Sequence, residues 1–360
     1  MRLVADSGVW TSGPAVAAVP ATAVLEVSGA VLAWTVDDPN GAAATTLTVT
    51  DVVAADWLWR VLGPAGHAAI VAGAELAEFN LLPGAFEPLR RLAVGLWMRR
   101  WWPESRRDGI ARLDRALLDG ELAVLTESAQ EFFTEDTLDS DVEGLLAPHQ
   151  VALLALERDG DPRVVEMVRV CAELAAGVGA WLAAEIPVRL ADSVDRRRSD
   201  FALAAGAERS RASGAIAGGV GSVDWVAVPA GTFDAAEDTI VWSIESADSS
   251  VLATVRVALT GAASARGIEV RLRSGDVTGT GVLDANGTAA IVLVGRGDGP
   301  LTENQAWDHD WSATTVAIGA DVPGEAMAIR QRVRAFARAR LARPGSDAFL
   351  AEIVAAESDY

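Results

Sequence analysis

Hydrophobic positions change period twice along the chain, and the changes divide it into strand-like and helix-like stretches. Residues 24–27, 31–36 and 45–49 are rich in β-branched and aliphatic residues, as strands are. Gly29 separates the first pair, and Pro39-Asn40-Gly41 makes a turn before the third. A small antiparallel sheet over residues 1–50 is expected. After Thr50, an N-cap candidate, apolar residues recur at helical spacing over 51–62. Pro64 begins a second helix to about Phe79, and 89–102 form a third that stops before Pro103. Ser105 caps a helix carrying Ile110, Leu113, Leu117 and Leu118, which Gly120 divides from one over 121–133. Ser140 and Glu143 have capping-box spacing for a helix to about Leu156. Asp161-Pro162 pairs a cap with an N1 proline for a helix through Cys171 to the Ile186-Pro187 step. A last helical segment covers 196–201. Residues 51–205 therefore read as a helical bundle.

Residues 206–222 are mostly Ala, Gly and Ser and read as a linker. Beyond them the period becomes two. Strands are expected over 223–228, 239–246, 251–259, 268–273, 277–283, 288–294 and 311–318. Asn286-Gly287 carries the signal of a tight hairpin. Such a run predicts a β-sandwich over 223–318. The remainder, 319–360, returns to helix: Ala326, Ile329, Val333 and Phe336 form an apolar stripe with Arg330, Arg334 and Arg338 outside it. The class is α+β multidomain: a small N-terminal β-sheet plus a helical bundle, then an antiparallel β-sandwich with a C-terminal helix.

Composition narrows the chemistry. The 360 residues carry a formal charge of −20, and all 30 basic residues are arginine. Without lysine, a P-loop, a protein-kinase site and Schiff-base chemistry are excluded in their usual forms. One cysteine excludes an internal disulfide and any Cys-x-x-Cys motif, which fits a reducing cytoplasm. An acid as early as Asp6 does not fit a secretory signal. The most apolar helix, near 168–190, is interrupted by Glu173 and Glu185 and is too short to span a bilayer. The charge is uneven. Residues 111–205 hold nine arginines against nineteen acids, and 223–318 hold five against thirteen, whereas 319–360 are balanced at six each. Net acidity argues against nucleic acid as a partner.

Residues 89–107 combine Arg90, Arg91, Arg99, Arg100, Arg106 and Arg107 with Trp97, Trp101 and Trp102. Arginine and tryptophan dominate binding hot spots. Trp97, Arg99, Arg100, Trp101, Trp102, Arg106 and Arg107 are therefore the expected partner-binding set. The plainer alternative places the tryptophans in a core and the arginines against nearby carboxylates. Asp139 to Gly144 imitates the start of a calcium loop, but Gln150 stands where a bidentate glutamate is required. Asp308, His309 and Asp310 are the remaining candidates for metal or acid–base chemistry. In an extended segment the imidazole and the carboxylates point to opposite faces, and only a turn brings them together. Cys171 sits in an apolar helical pattern, as an inert thiol does. No catalytic set and no cofactor are expected. The chain reads as a soluble, cytoplasmic, non-catalytic protein that binds another protein. Its alternatives are a carboxylate- or metal-dependent hydrolase and an arginine surface for an anionic polymer or membrane.

Overall fold

In the computed structural model, the described residues are 3–6, 9–73, 82, 84–130, 132–133, 139–179, 215–247, 250–261, 263–297 and 299–358. The chain is α+β and divides into two compact units, Met1–Leu182 with Glu325–Tyr360, and Ala183–Gly324.

The first unit opens with five strands: β1 (Leu3–Asp6), β2 (Val9–Ser12), β3 (Thr22–Val27), β4 (Ala30–Thr35) and β5 (Thr46–Val49). They form one antiparallel sheet in the order β1-β2-β5-β4-β3. Strict alternation turns Ala30, Leu32 and Trp34 of β4 into the core and Val31, Ala33 and Thr35 away from it. The expected helix at 51–62 does not begin there. Asp51 instead accepts the N–H groups of Val53 and Ala54 in a turn (2.9 and 3.1 Å), and α1 is Trp59–Val71, broken at Gly63 before Pro64.

Helix α2 (Glu87–Trp101) lies against β3 and ends before Pro103 as expected. Helix α3 (Arg115–Gln130) runs unbroken through Gly120. A side chain at Gly120 would meet the Cys171 sulfur at 3.1 Å, so this glycine admits a neighbouring helix and does not end its own. The helix expected from Ser105 is absent there, because that segment is a tight hairpin described below. Between α4 (Asp139–Leu146) and α5 (Gln150–Arg158), Pro148 sits in a 3-10 turn, and one expected helix becomes two. Asp139 to Gly144 is mostly helix, which removes the calcium-loop geometry. Asp161 caps α6 (Pro162–Val178), accepting the Arg163 N–H at 2.8 Å, and Gly179 ends it at φ 70°. The expected segments at 186–187, 196–201 and 206–214 lie outside the described residues.

Among its described residues the second unit has seven strands: β6 (Ala217–Gly221), β7 (Ile240–Ala247), β8 (Ser250–Val257), β9 (Glu269–Ser274), β10 (Val277–Val282), β11 (Thr288–Val292) and β12 (Thr315–Ile318). Two antiparallel sheets, β10-β9-β12 and β11-β8-β7-β6, enclose a core that includes Trp242, Ile244, Val255, Leu272 and Ile291. Two expectations fail locally. Part of the expected linker is β6, while 223–228 contains a 3-10 turn in place of a strand. The Asn286-Gly287 turn forms, with Asp284 accepting the N–H groups of Asn286 and Thr288 (2.8 and 2.9 Å). The hairpin forms at its ends, where the Asp284 N–H meets the Thr288 carbonyl (2.8 Å) and Thr278 pairs with Val294, but between them its arms part, β10 pairing with β9 and β11 with β8, so the chain changes sheets there. A short helix, α7 (Glu303–Asp308), carries a capping box between Thr302 and Gln305.

Two further helices, α8 (Met327–Ala342) and α9 (Leu350–Glu357), belong to the first unit. Val333 is buried and Ile329 and Phe336 half-buried as the stripe predicts, but Ala326 is exposed, and Arg330 and Arg334, expected outside it, are buried. Carboxylates draw them in: Glu325 lies 3.9 Å from Arg330, and Asp108 3.1 Å from Arg334. Helix α9 closes over α2 and α3 at Gly95, where an added Cβ would stand 2.5 Å from Leu122 and 2.6 Å from Phe349. An alanine ordinarily stabilises a helix interior by about 1 kcal/mol relative to glycine. Here overpacking reverses the sign, and Gly95→Ala is expected to lower stability by about 1–3 kcal/mol in urea titration.

Candidate functional site

The seven expected partner-binding residues lie on the end of α2 and on the loop that follows, and the structure divides them into two groups. Trp97 is core: it is 3% exposed, donates its indole N–H to the Pro20 carbonyl and meets Phe336 edge-on at 5.7 Å. Arg99 turns inward to α3. Trp102 is half-buried and pinned by its indole N–H to the Ala111 carbonyl (2.8 Å). Arg100 and Trp101 are half-exposed and stacked, the guanidinium carbon 4.2 Å from the ring centroid. Arg106 and Arg107 are exposed.

The loop that carries the last two is a closed hairpin. Ser105 and Ile110 exchange backbone hydrogen bonds in both directions (3.0 and 2.8 Å). Ser105 Oγ accepts the Asp108 N–H (2.9 Å), and Gly109 takes the positive φ of 64° that the return requires. Asp108 points back to α8, 3.1 Å from Arg334 and 3.8 Å from Arg338. The acid of the tip thus braces it, while Arg106 and Arg107 face solvent. Residues 99–115 hold six arginines and three acids, and α8 holds five arginines and no acid. Arg99 and Arg115 of this set face Asp119, Arg330 and Arg334 are buried, and Arg332 and Arg340 pair with acids, so Arg106, Arg107, Arg112 and Arg338 are the arginines that add exposed positive charge to a chain of −20.

Beneath the hairpin lies a buried carboxylate that the sequence reading did not single out. Asp119, with its side chain 2% exposed, faces Arg99, Arg115 and His149. Arg115 and His149 contact Oδ2 at 3.1 and 2.9 Å. Arg99 donates Nη2 to the same Oδ2 (3.2 Å), and its Nε approaches Oδ1 to 2.7 Å without hydrogen-bond alignment. Arg115 also donates to the Arg99 carbonyl at the end of α2 (2.8 Å). One acid therefore joins α2, α3 and the turn before α5. Asp119→Asn keeps the shape and removes the counter-charge, and is expected to lower unfolding free energy by about 2–4 kcal/mol. Chemical denaturation with a circular-dichroism readout measures this, and an unchanged midpoint would remove Asp119 from that role.

A second carboxylate on α3 holds the C-terminal helix. Glu121 accepts from Arg91 (2.5 Å) and from the Leu350 N–H at the start of α9 (2.7 Å). Glu352, wholly buried, receives both Nε and Nη2 of Arg340 (2.6 and 2.7 Å). Burial pushes the Glu121 carboxyl above its ordinary range, against the Leu350 N–H and Arg91. For a carboxyl raised in the folded state, the stabilisation is present below the ordinary pKa and is lost as pH rises through the raised one. Wild type is therefore expected to lose stability relative to Glu121→Gln as pH rises through and above the ordinary carboxylate range. Parallel stability–pH curves for the two proteins would contradict this.

The Trp307–Trp311 segment does not gather its polar groups. Asp308 ends α7 and is exposed, and Asp310 caps the next turn by accepting the Ser312 N–H (2.9 Å), which holds its carboxyl below the usual range. His309 turns away to Ser274 Oγ (3.0 Å) and packs edge-on to Trp311 at 4.5 Å. A serine beside a histidine has the form of a nucleophile and its base. Ser274 has no exposed surface, however, and its hydroxyl also meets Thr314 Oγ1 at 3.0 Å, so no substrate reaches it. No cluster of three or more His, Cys, Asp or Glu able to hold a metal ion occurs among the described residues. Burial pushes the Cys171 thiol up to about 11, with the Glu121 charge adding to it, so the thiolate nucleophile is scarce. No described helix is long and apolar enough to cross a membrane. No protein-family model, curated protein or solved structure matches this chain.

Proposed function

We propose that this is a non-catalytic interaction protein of the cytoplasm that docks a carboxylate-rich segment of another protein on the Arg106–Arg107 hairpin. The observation that carries the reading is the closed tip: two arginines held outward on a loop whose own acid is turned inward. Preorganisation of this kind reduces the ordering cost of binding. The stacked Arg100–Trp101 pair adds a flat, half-exposed surface beside it, of the composition found at hot spots. Trp97 and Arg99 support the site from within and make no contact with the partner.

Carboxylates fit better than phosphates on electrostatic grounds. Guanidinium forks bind both, but a polyanion such as RNA extends past a small basic patch onto the acidic remainder of the chain and is repelled there. A short acidic peptide is not. Titration of a fluorescent glutamate-rich peptide tests the proposal. Binding is expected to weaken with added salt and to fall about tenfold or more in the Arg106→Glu, Arg107→Glu double variant. Absence of peptide binding at low salt, or binding indifferent to both substitutions, would refute the docking site. Preferential binding of single-stranded RNA would replace the proposed partner with an anionic polymer.

A further inference from the structure

The four-stranded sheet of the second unit ends on β6, and no described strand covers that edge. Hydrogen-bond parity shows what the edge offers. The Ala258 N–H donates to the Thr239 carbonyl (3.0 Å), so residue 239 faces β8. Successive residues of an antiparallel strand face alternate sides, which turns Ile240, Trp242 and Ile244 toward β6. Their register partners Gly221, Gly219 and Ala217 bond β7. Gly218 and Val220 are left with their N–H and C=O groups directed away from the sheet.

Sheet edges in natural proteins are guarded by charge, proline, bulges or cover. Strand β3 carries an exposed glutamate, Glu26, beside α2. Strand β10 is tied to residue 294 by paired bonds between Thr278 and Val294 (3.0 and 2.9 Å). Among the described residues β6 has no charge, proline or cover: it reads Ala-Gly-Gly-Val-Gly, and its one irregularity is at its start, where the Ile216 N–H bonds the carbonyl of Ile244, the register partner of Ala217 (2.8 Å). Packing demands only one of its glycines strongly, since a Cβ on Gly219 would stand 2.6 Å from the Trp242 ring. Gly221 has room for a side chain, with its nearest neighbour 3.8 Å away. The adjoining outer surface is apolar too, with Val220 and Val241 register partners at 59% and 52% exposure.

We propose that β6 is a self-association edge on which a second copy of this chain pairs its own β6, antiparallel, about a two-fold axis at Gly219. In that register Gly218 of each copy faces Val220 of the other. The pair exchanges N–H and C=O groups in both directions, so the outward-facing set is self-complementary. Each Val220 side chain then lies beside the bare Gly218 of the second copy, next to Val241. Charge points to the same place. Over 223–318 this unit carries five arginines against thirteen acids, so two copies repel wherever acids face each other. Contact is tolerated where the surface is locally neutral, and β6 is such a place. A single strand pair buries little surface, so the dimer is weak, with Kd on the order of 10–100 µM.

Sedimentation velocity of the full chain from about 1 to 300 µM reads the dimer directly. Val220→Pro removes an outward donor and leaves the bonds to β7 in place, and Val220→Lys adds a guarding charge. Each is expected to weaken the dimer about tenfold or more. Added salt is expected to strengthen it by screening like charge, the opposite of its effect on the acidic peptide, so the two proposals fail separately. A monomer throughout the range, or a dimer of unchanged Kd in both variants, overturns the proposal. Amide exchange on wild type supplies a reading that needs no variant: protection of Gly218 and Val220 N–H groups should rise with concentration, and concentration-independent exchange there also overturns it.

Discussion

The first unit depends on two carboxylates set two residues apart on α3, Asp119 buried and Glu121 half-buried. Asp119 and Glu121 leave the helix in different directions, and each gathers donors, most of them from elements distant in sequence. Asp119 takes Arg99, Arg115 and His149, while Glu121 takes Arg91 and the first N–H of α9. Burying an acid is unfavourable unless its charge and its lone pairs are satisfied. The arrangement of α2, the turn before α5 and α9 around α3 supplies those partners, except that Asp119 Oδ1 has an ion contact with Arg99 and no hydrogen bond. The absence of lysine shapes how this is done. A guanidinium can divide its donors between a carboxylate and a backbone carbonyl, which an ammonium does less well. Arg115 bridges Asp119 and the Arg99 carbonyl, and Arg340 bridges Glu352, Asp347 and the Asp347 carbonyl. Arginine here closes helix ends as well as neutralising acids.

The α3 centre also explains the outward hairpin. Its base is fixed where Trp102 is pinned to Ala111 and where Arg115 caps the last turn of α2. Asp108 fastens the tip to α8. With the base and one side held, the loop has little freedom, and Arg106 and Arg107 keep their direction without a core of their own.

Periodicity and caps made the elements legible wherever local chemistry decides. The Asp161-Pro162 helix start, the stop at Pro103, the alternation of β9 and the α8–α9 pair all follow from short-range rules. Legibility failed where a distant partner decides. Gly120 looked like a helix break because its neighbour Cys171 lies 51 residues away in sequence. Ser105 looked like an N-cap and serves instead as a turn acceptor in a hairpin closed by Ile110. Asn286-Gly287 marks a turn, but nothing nearby states that its two strands join different sheets. The tryptophans and arginines of 89–107 were visible as a cluster. Which of them face inward depends on Pro20, Phe336, Asp119 and Asp108, and none of these is recognisable from that segment. The same holds for Ser274 beside His309.

Exposed features of opposite character sit in the two units. The hairpin is charged and structurally closed, because its backbone groups are bonded within the loop and only side chains are left for a partner. Strand β6 is uncharged and structurally open, because its side chains are small and its backbone groups are what remain. Salt weakens attraction between opposite charges and relieves repulsion between like ones, so the same change in ionic strength acts on the two surfaces with opposite sign. A chain carrying −20 charges resists collecting copies of itself by side-chain contact. That defence does not act at a strand edge, where recognition is by main chain, and the lack of a charge, proline or cover on β6 among the described residues is informative for that reason.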